Sequence, residues 1–142
     1  MVSEITSAIG RTIVSEFGPG YTVYDEEVKQ GLLIPCFFIG CDDPSERQFF
    51  GSRYFLENRF CIRFFPADDN GKNRECEQAA RRLFSCLEWL DVDGQIIMGR
   101  KMSYTLKDGV LYFFVNYDMF VYKKEEKVVM GELRKRVGAR GL

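Results

Sequence analysis

The chain has no histidine in its 142 residues, which limits the chemistry its side chains can perform. Histidine is the side chain that most often moves protons near neutral pH, and it is also the commonest metal ligand. The remaining candidates for chemistry are five cysteines and neighbouring pairs of aspartates. A role in binding or assembly is therefore our first expectation.

The cysteines are candidate nucleophiles or metal ligands, but their positions favour packing. Cys36 and Cys61 fall in strand patterns, whereas Cys76 and Cys86 fall in a helical pattern. A cysteine nucleophile usually needs a basic partner such as histidine, which this chain lacks. Together with Cys41 they are odd in number and form no C-x-x-C pair. We expect buried free thiols in a reducing cytosol.

Carboxylate pairs are the other catalytic candidates. Asp42-Asp43 and Asp68-Asp69 lie at predicted turns, where aspartate is common because it hydrogen-bonds the nearby backbone. Phosphate-binding glycine motifs are absent, since the Gly-Pro-Gly run follows a predicted helix and no G-K-[ST] sequence occurs. We predict no enzymatic activity, no cofactor and no metal.

Composition and charge indicate one globular domain followed by a charged segment. Aromatic residues make up 15% of the chain, a high share that suits interfaces. Net charge is −1, but residues 123–142 carry seven basic and three acidic side chains, a balance of +4 that leaves −5 for the rest. We predict a single domain over 1–122 and a basic C-terminal segment, 123–142, that is mobile or partly helical. No signal peptide or membrane span is predicted.

Hydrophobic periodicity predicts the elements that carry these residues. Helical spacing predicts one helix from Ser3 to Phe17 and a second from Asn73 to Leu90, with Trp89 packing at its end. Alternating or apolar runs predict five strands, at Tyr21–Tyr24, Pro35–Ile39, Phe60–Pro66, Gln95–Leu106 and Val110–Tyr122. The predicted fold is α+β, in the order α-β-β-β-α-β-β, with two helices on one face of a mostly antiparallel sheet.

A long hairpin is predicted between Gly40 and Arg59. Turn chemistry occurs at both Asp42–Ser45 and Gly51–Ser52, so the position of the tip stays open between the two. The last strand is apolar on both faces, and two helices can cover only one of them. We expect contacts between subunits to bury the other face.

Several stretches resemble one family in order and spacing: Glu27–Ile39 (EVKQGLLIPCFFI), Arg53-Tyr54 followed by Phe60–Pro66 (FCIRFFP), and Asp108–Tyr117 (DGVLYFFVNY). They are similar to those of the small tail terminator, or tail completion, proteins of tailed phages and phage-tail-like particles. The resemblance spans about residues 4–122, and residues 123–142 match nothing in it.

The resemblance implies a non-enzymatic structural protein, the product of a late gene in virion assembly. It would form a homo-oligomeric ring, usually a hexamer, on the end of the tail tube, stop tube polymerisation and provide the interface to the head connector. Its partners would be the tube protein and the connector or, in contractile tails, the sheath protein. DNA would only pass through the channel, and no membrane is involved. The protein would act in the host cytoplasm and then at the head-proximal end of the virion tail.

Two sets of residues are candidate sites within such a ring. Arginine and tyrosine favour interface centres, so the predicted subunit or tube interface consists of Arg47, Gln48, Arg53, Tyr54, Glu57 and Arg59. Like-charged walls discourage adhesion of DNA, so the predicted channel-facing acidic loops contain Asp25, Glu26, Glu27, Asp42, Asp43, Asp68 and Asp69. The basic C-terminal segment is a third candidate, for docking on an acidic partner.

Two other binding roles stay open at this point. A head-to-tail joining protein would share a related fold and differ mainly in its contacts. A single-stranded nucleic-acid-binding module would stack bases on exposed aromatic side chains of the sheet, but its folded body would be expected to be basic.

Overall fold

The computed structural model describes residues 2–25, 31–67 and 72–122, and for residues 43–46 and 49 it describes the backbone alone. Its elements in chain order are α1 (Val2–Phe17), β1 (Thr22–Tyr24), β2 (Cys36–Phe50), β3 (Arg53–Phe65), α2 (Lys72–Cys86), β4 (Trp89–Val92), β5 (Gln95–Lys107), β6 (Val110–Tyr117) and β7 (Met119–Tyr122). The predicted α+β class and the two helices are confirmed.

The strands form one curled, mostly antiparallel sheet. Their order is β1-β2-β3-β6-β5-β4, and β7 pairs with β3 beyond the end of β6. Among the pairs in the described part of the chain, β1 with β2 is parallel and the others are antiparallel. Both outer positions in this order, β1 and β4, are strands of three or four residues.

The hydrophobic core lies between this sheet and the two helices. On the helix side, α1 buries Ile5, Ala8, Ile9, Ile13 and Phe17, and α2 buries Cys76, Ala79, Ala80 and Leu83. On the sheet side, alternate residues of the central strands are buried against them: Phe37, Ile39, Phe60, Ile62, Phe64, Leu111, Phe113, Val115 and Tyr117. Since successive side chains of a strand point to opposite faces, the intervening residues form a second, helix-free face.

The prediction of five strands was wrong, because the described part of the chain contains seven. Leu83, Leu87 and Leu90 are all fully buried and continue a helical spacing, yet α2 ends at Cys86 and Leu90 lies on β4. Beyond the helix, β4 and β5 form a hairpin whose tight two-residue turn is Asp93-Gly94, with φ values of 51° and 89°.

The second additional strand comes from the run Val110–Tyr122, which was predicted as one strand. The structure divides it at Asp118 into β6 and β7. Before this residue, β6 pairs with both β3 and β5. After it, β7 pairs with β3 alone, while the beginning of β5 turns away to pair with β4.

The predicted long hairpin is present, and its tip is at Gly51-Ser52. Gly51 adopts φ 58°, and its carbonyl accepts a hydrogen bond of 2.6 Å from the Gln48 side chain. The other candidate turn, Asp42–Ser45, lies inside β2, where the register shifts by a bulge between Cys41 and Asp43. We call residues 42–50, 53–58 and 119–122 the arm, because they form a three-stranded extension of the sheet.

Neither helix of the described residues is long and apolar enough to cross a membrane.

Candidate interaction surfaces

The arm has two faces, and the structure divides the predicted interface residues between them. Gln48 pairs with Tyr54 across the hairpin, and both lie on the face that continues the helix side of the sheet. The other four predicted residues lie on the helix-free face: Arg47, Arg53, Glu57 and Arg59. The six residues therefore cannot act as one contact patch.

Arginine side chains lie over aromatic rings on the helix-free face of the arm. The guanidinium of Arg47 is 5.1 Å from the ring centroid of Phe55, and that of Arg53 is 4.4 Å from Phe120. The two rings contact each other with centroids 4.8 Å apart. Such stacking restricts the side chains to few conformations, so less entropy is lost when a partner covers them.

The end of the arm also exposes large apolar side chains. Phe50 is 79% exposed, Tyr122 is 75% exposed and Phe120 is 39% exposed. Register places Phe50 and Tyr122 on either side of Arg53. We call the following residues the tip surface: Arg47, Phe50, Arg53, Phe55, Phe120 and Tyr122. Sequence reasoning missed its aromatic members, although the excess of apolar residues on the last strand was a signal for them.

The same arginine–aromatic arrangement continues on the helix-free face of the body. Arg59 lies over Phe114 at 4.3 Å, and Arg63 lies over Phe38 at 5.1 Å. Tyr24 also stacks on Phe38, and the centroids of the two rings are 5.0 Å apart. The rings on this face are therefore largely covered by side chains of the same protomer.

The helix-free face contains a cavity of about 420 Å³. Its lining residues are Asp25, Phe38, Ile39, Gly40, Asp42, Cys61, Arg63, Tyr112 and Phe114. The fold thus brings together two of the predicted channel-facing carboxylates, Asp25 and Asp42, and places Arg63 beside them. Glu26, Glu27, Asp68, Asp69 and the side chain of Asp43 lie outside the described residues.

A second exposed apolar surface lies on the β4–β5 hairpin. Trp89 is 57% exposed, Ile96 is 59% exposed and Met98 is 38% exposed. Trp89 pairs with Met98, and Asp91 pairs with Ile96, so these four side chains share one face. The prediction that Trp89 packs at a helix end was wrong, because on β4 the alternate residues Leu90 and Val92 are the buried ones.

We call this second patch the hairpin surface. It consists of Trp89, Asp91, Ile96 and Met98 on one face, together with two exposed carboxylates that flank β4, Glu88 before it and Asp93 at the turn after it. Its acidic members are exposed, and Asp91 also holds the turn, because its Oδ1 accepts a hydrogen bond of 2.8 Å from the Gly94 N–H.

The five cysteines are free thiols, of which Cys36 and Cys76 are buried and the others are half-buried. Burial raises the pKa of Cys61 to about 11 and that of Cys86 to about 12. Burial also raises the pKa of Cys36 and of Cys76. Since the thiolate is the reactive form, these four thiols are poor nucleophiles near neutral pH.

Within residues 2–25, 31–67 and 72–122, no group of three or more cysteine, aspartate or glutamate side chains is placed to hold a metal ion. The conspicuous surface features are instead two exposed patches of aromatic and charged side chains. Patches of this kind mark sites where proteins contact other proteins.

The family comparison agrees with a protein that acts through contacts with other proteins. The model of the phage tail terminator protein family matches residues 4–129, which is most of the chain. The chain belongs to the phage tail terminator family, whose members have a structural role in tail completion and are located in the virion tail. The match continues beyond Tyr122, into the first residues of the basic C-terminal segment.

One solved structure is similar over 89% of this chain and 99% of its own chain, with 13% sequence identity and a TM-score of 0.49. At that TM-score the likeness has no bearing on function. No curated protein sequence matches the chain significantly.

Proposed function

We propose that this protein forms a ring on the end of the completed tail tube, stops further tube polymerisation and provides the surface that receives the head connector. The observation that carries the proposal is the family match over residues 4–129. The role is structural: it needs no cofactor, and the protein is not an enzyme.

The distribution of exposed surfaces supports a ring. A closed ring needs two different, complementary patches on each subunit, one for each neighbour. This chain exposes two such patches, the tip surface and the hairpin surface, which differ in composition and lie on different strands. Exposed apolar patches on a soluble protein are usually buried in an assembly. A hexamer, the usual number in the family, is the proposed stoichiometry.

The arm is the proposed contact region, as the sequence indicated. Arginines held over aromatic rings are frequent energetic centres of protein interfaces. The opposite face of the arm, with Gln48 and Tyr54, is left for a second partner at the tail end: the tube protein, the connector or, in a contractile tail, the sheath protein.

The helix-free face of the body gives little support to the alternative of single-stranded nucleic-acid binding. Bases stack on aromatic rings that are open to solvent. On the body of the domain Phe38 is only 5% exposed and Phe114 lies under Arg59, so these two rings are already covered. Apart from Trp89, the exposed rings that the structure describes on this face lie at the tip of the arm.

Deletion of the gene, followed by negative-stain electron microscopy of the particles, tests the proposed function. We expect overlong or ragged tubes without heads, because nothing would cap polymerisation. A plasmid copy of the intact gene should restore uniform lengths.

Tails of normal, uniform length would contradict the terminator role. If such tails also failed to join heads, the protein would be a head-to-tail joining protein instead. If the particles were normal in every respect, neither structural role would hold.

A further inference from the structure

We propose that the tip surface of one copy binds the hairpin surface of the next copy, so that these two patches form the contact that closes the ring. This inference rests on the proposed function, and it assigns the two sides of the subunit interface to particular residues. The partner is a second copy of this chain.

Each surface exposes large aromatic side chains in the described part of the chain. Tyr122 and Phe50 on the tip surface are 75% and 79% exposed, and Trp89 on the hairpin surface is 57% exposed. Within the part of the chain that the structure describes, these three side chains are therefore left largely unburied. Tryptophan, tyrosine and arginine are the residues that most often dominate the binding energy of an interface, and here they are divided between the two patches.

Charge makes the two patches complementary. The tip surface has two arginines, Arg47 and Arg53, and no acidic member. The hairpin surface has three carboxylates, and no lysine or arginine occurs in residues 83–99; Arg11 of α1 lines the same cavity as Asp91 and Asp93, so the patch keeps an excess of negative charge. The Nε atom of Arg47 lies 3.9 Å from Oε1 of Glu57, a carboxylate at the inner boundary of the tip surface. This ion pair holds the Arg47 side chain along the arm. Opposite charges on facing patches steer association and disfavour the reverse pairings.

The two patches lie on different strands, so the contact is head-to-tail. The tip surface lies on β2, β3 and β7, whereas the hairpin surface lies on β4 and the beginning of β5. A patch that bound its own counterpart would bring arginine to arginine, or carboxylate to carboxylate, and would form a closed dimer. Binding of the tip surface to the hairpin surface leaves one free patch of each kind on the pair, so that further copies can add until the ring closes.

The experiment uses full-length variants altered at exposed positions. The tip variant is Arg47→Glu with Tyr122→Ser, and the hairpin variant is Trp89→Ser with Ile96→Lys. The matched control is Val14→Ser with Arg74→Glu, which removes an exposed apolar side chain and reverses an exposed arginine on the two helices. Circular dichroism and thermal melting check the fold of each variant, and native mass spectrometry counts the subunits.

We expect rings for the wild type and the control, and monomers for each variant alone, with self-association weakened by roughly 10- to 100-fold. We expect the two variants mixed in equal amounts to form a one-to-one dimer and nothing larger. In that dimer the intact tip surface of the hairpin variant meets the intact hairpin surface of the tip variant. Raising the salt concentration should weaken the dimer, because charge contributes to the contact.

Rings formed by either variant alone would overturn the inference while leaving the ring itself in place. Absence of the mixed dimer, with both variants monomeric and folded, would overturn it as well. If a double variant misfolds, Phe50→Ser or Met98→Lys takes its place in the same mixing test. A wild-type protein that neither self-associates nor caps purified tubes would contradict the proposed function, and the inference with it.

Discussion

At the scale of single residues, a few buried polar groups fix how the end of α2 meets the sheet. Tyr117 is fully buried, and its hydroxyl donates a hydrogen bond of 2.5 Å to the carbonyl oxygen of Leu87. Asn58 is also buried, and its Nδ2 donates a hydrogen bond of 3.2 Å to the carbonyl oxygen of Tyr117. Burial raises the pKa of the Tyr117 phenol, so it stays protonated and remains a donor.

Replacing Tyr117 with phenylalanine should lower the free energy of unfolding by about 1–3 kcal/mol, because the carbonyl of Leu87 would be buried without a donor. Urea unfolding measures the change. The wild type should also lose stability as pH rises above about 10, since only the unfolded state ionises this phenol there, and the variant should lose less.

The matched control is Tyr122→Phe, at a position that is 75% exposed, where we expect a change within about 0.5 kcal/mol. Equal, small effects at both positions would show that the buried hydrogen bond contributes little.

At the scale of secondary-structure elements, Gly99 is the point where the β4–β5 hairpin leaves the rest of the sheet. Its N–H donates a hydrogen bond of 2.7 Å to the carbonyl oxygen of Glu88. A Cβ atom at this position would lie 2.7 Å from the carbonyl oxygen of Leu87 and 3.0 Å from a methyl group of Val115. The first of these neighbours is backbone, so it cannot move aside. The orientation of the hairpin surface therefore depends on a glycine at this position.

Gly99→Ala should destabilise the protein by about 1–3 kcal/mol, the usual cost of overpacking a closed site. Chemical denaturation followed by tryptophan fluorescence suits the measurement, because Trp89, the single tryptophan of the chain, lies on the affected hairpin. Gly40→Ala is the control, since a Cβ at that exposed position would meet nothing within 4 Å. A stable Gly99→Ala variant would mean that the hairpin can shift without cost.

At the scale of the whole molecule, the two faces of the sheet have separate tasks. One face packs on the helices and forms the core. The helix-free face carries the arginine–aromatic pairs, and it brings Asp25 to the same cavity as Asp42 although 17 positions of sequence separate them. Because Arg63 lines this cavity too, the local charge is mixed, and neutralising the two carboxylates would leave it positive.

If this cavity faces the channel, Asp25→Asn combined with Asp42→Asn should leave tail assembly intact and slow DNA release by roughly two- to tenfold, because a positive wall attracts phosphates. Dye-detected DNA ejection from purified particles measures the rate, and the delay should shrink as salt rises. Glu77→Gln with Asp108→Asn neutralises two exposed carboxylates elsewhere and should release DNA at the normal rate. Unchanged ejection from the first variant would place these carboxylates away from the channel.

Local pattern was sufficient for the elements whose periodicity is undisturbed. The spacing of Ile5, Ile9 and Ile13 predicted α1, and the alternation of Phe60, Ile62 and Phe64 predicted the inner face of β3; both are confirmed. The long hairpin followed from turn chemistry, and the helix-free face followed from apolar residues on both sides of the last strand. The period of apolar side chains and the residues of tight turns are local properties that the sequence records directly.

The sequence by itself therefore determined the α+β class, the two helices, the long hairpin and the family. Only the tertiary structure decided that Trp89 is exposed on an edge strand, that the last strand divides at Asp118, and that Gln48 and Tyr54 lie on the other face of the arm from Arg47 and Arg53. The physical reason is that strand pairing, register and the choice of covered face depend on contacts between residues far apart in the chain. A local pattern is the same whichever partner a strand finds, so it cannot specify them.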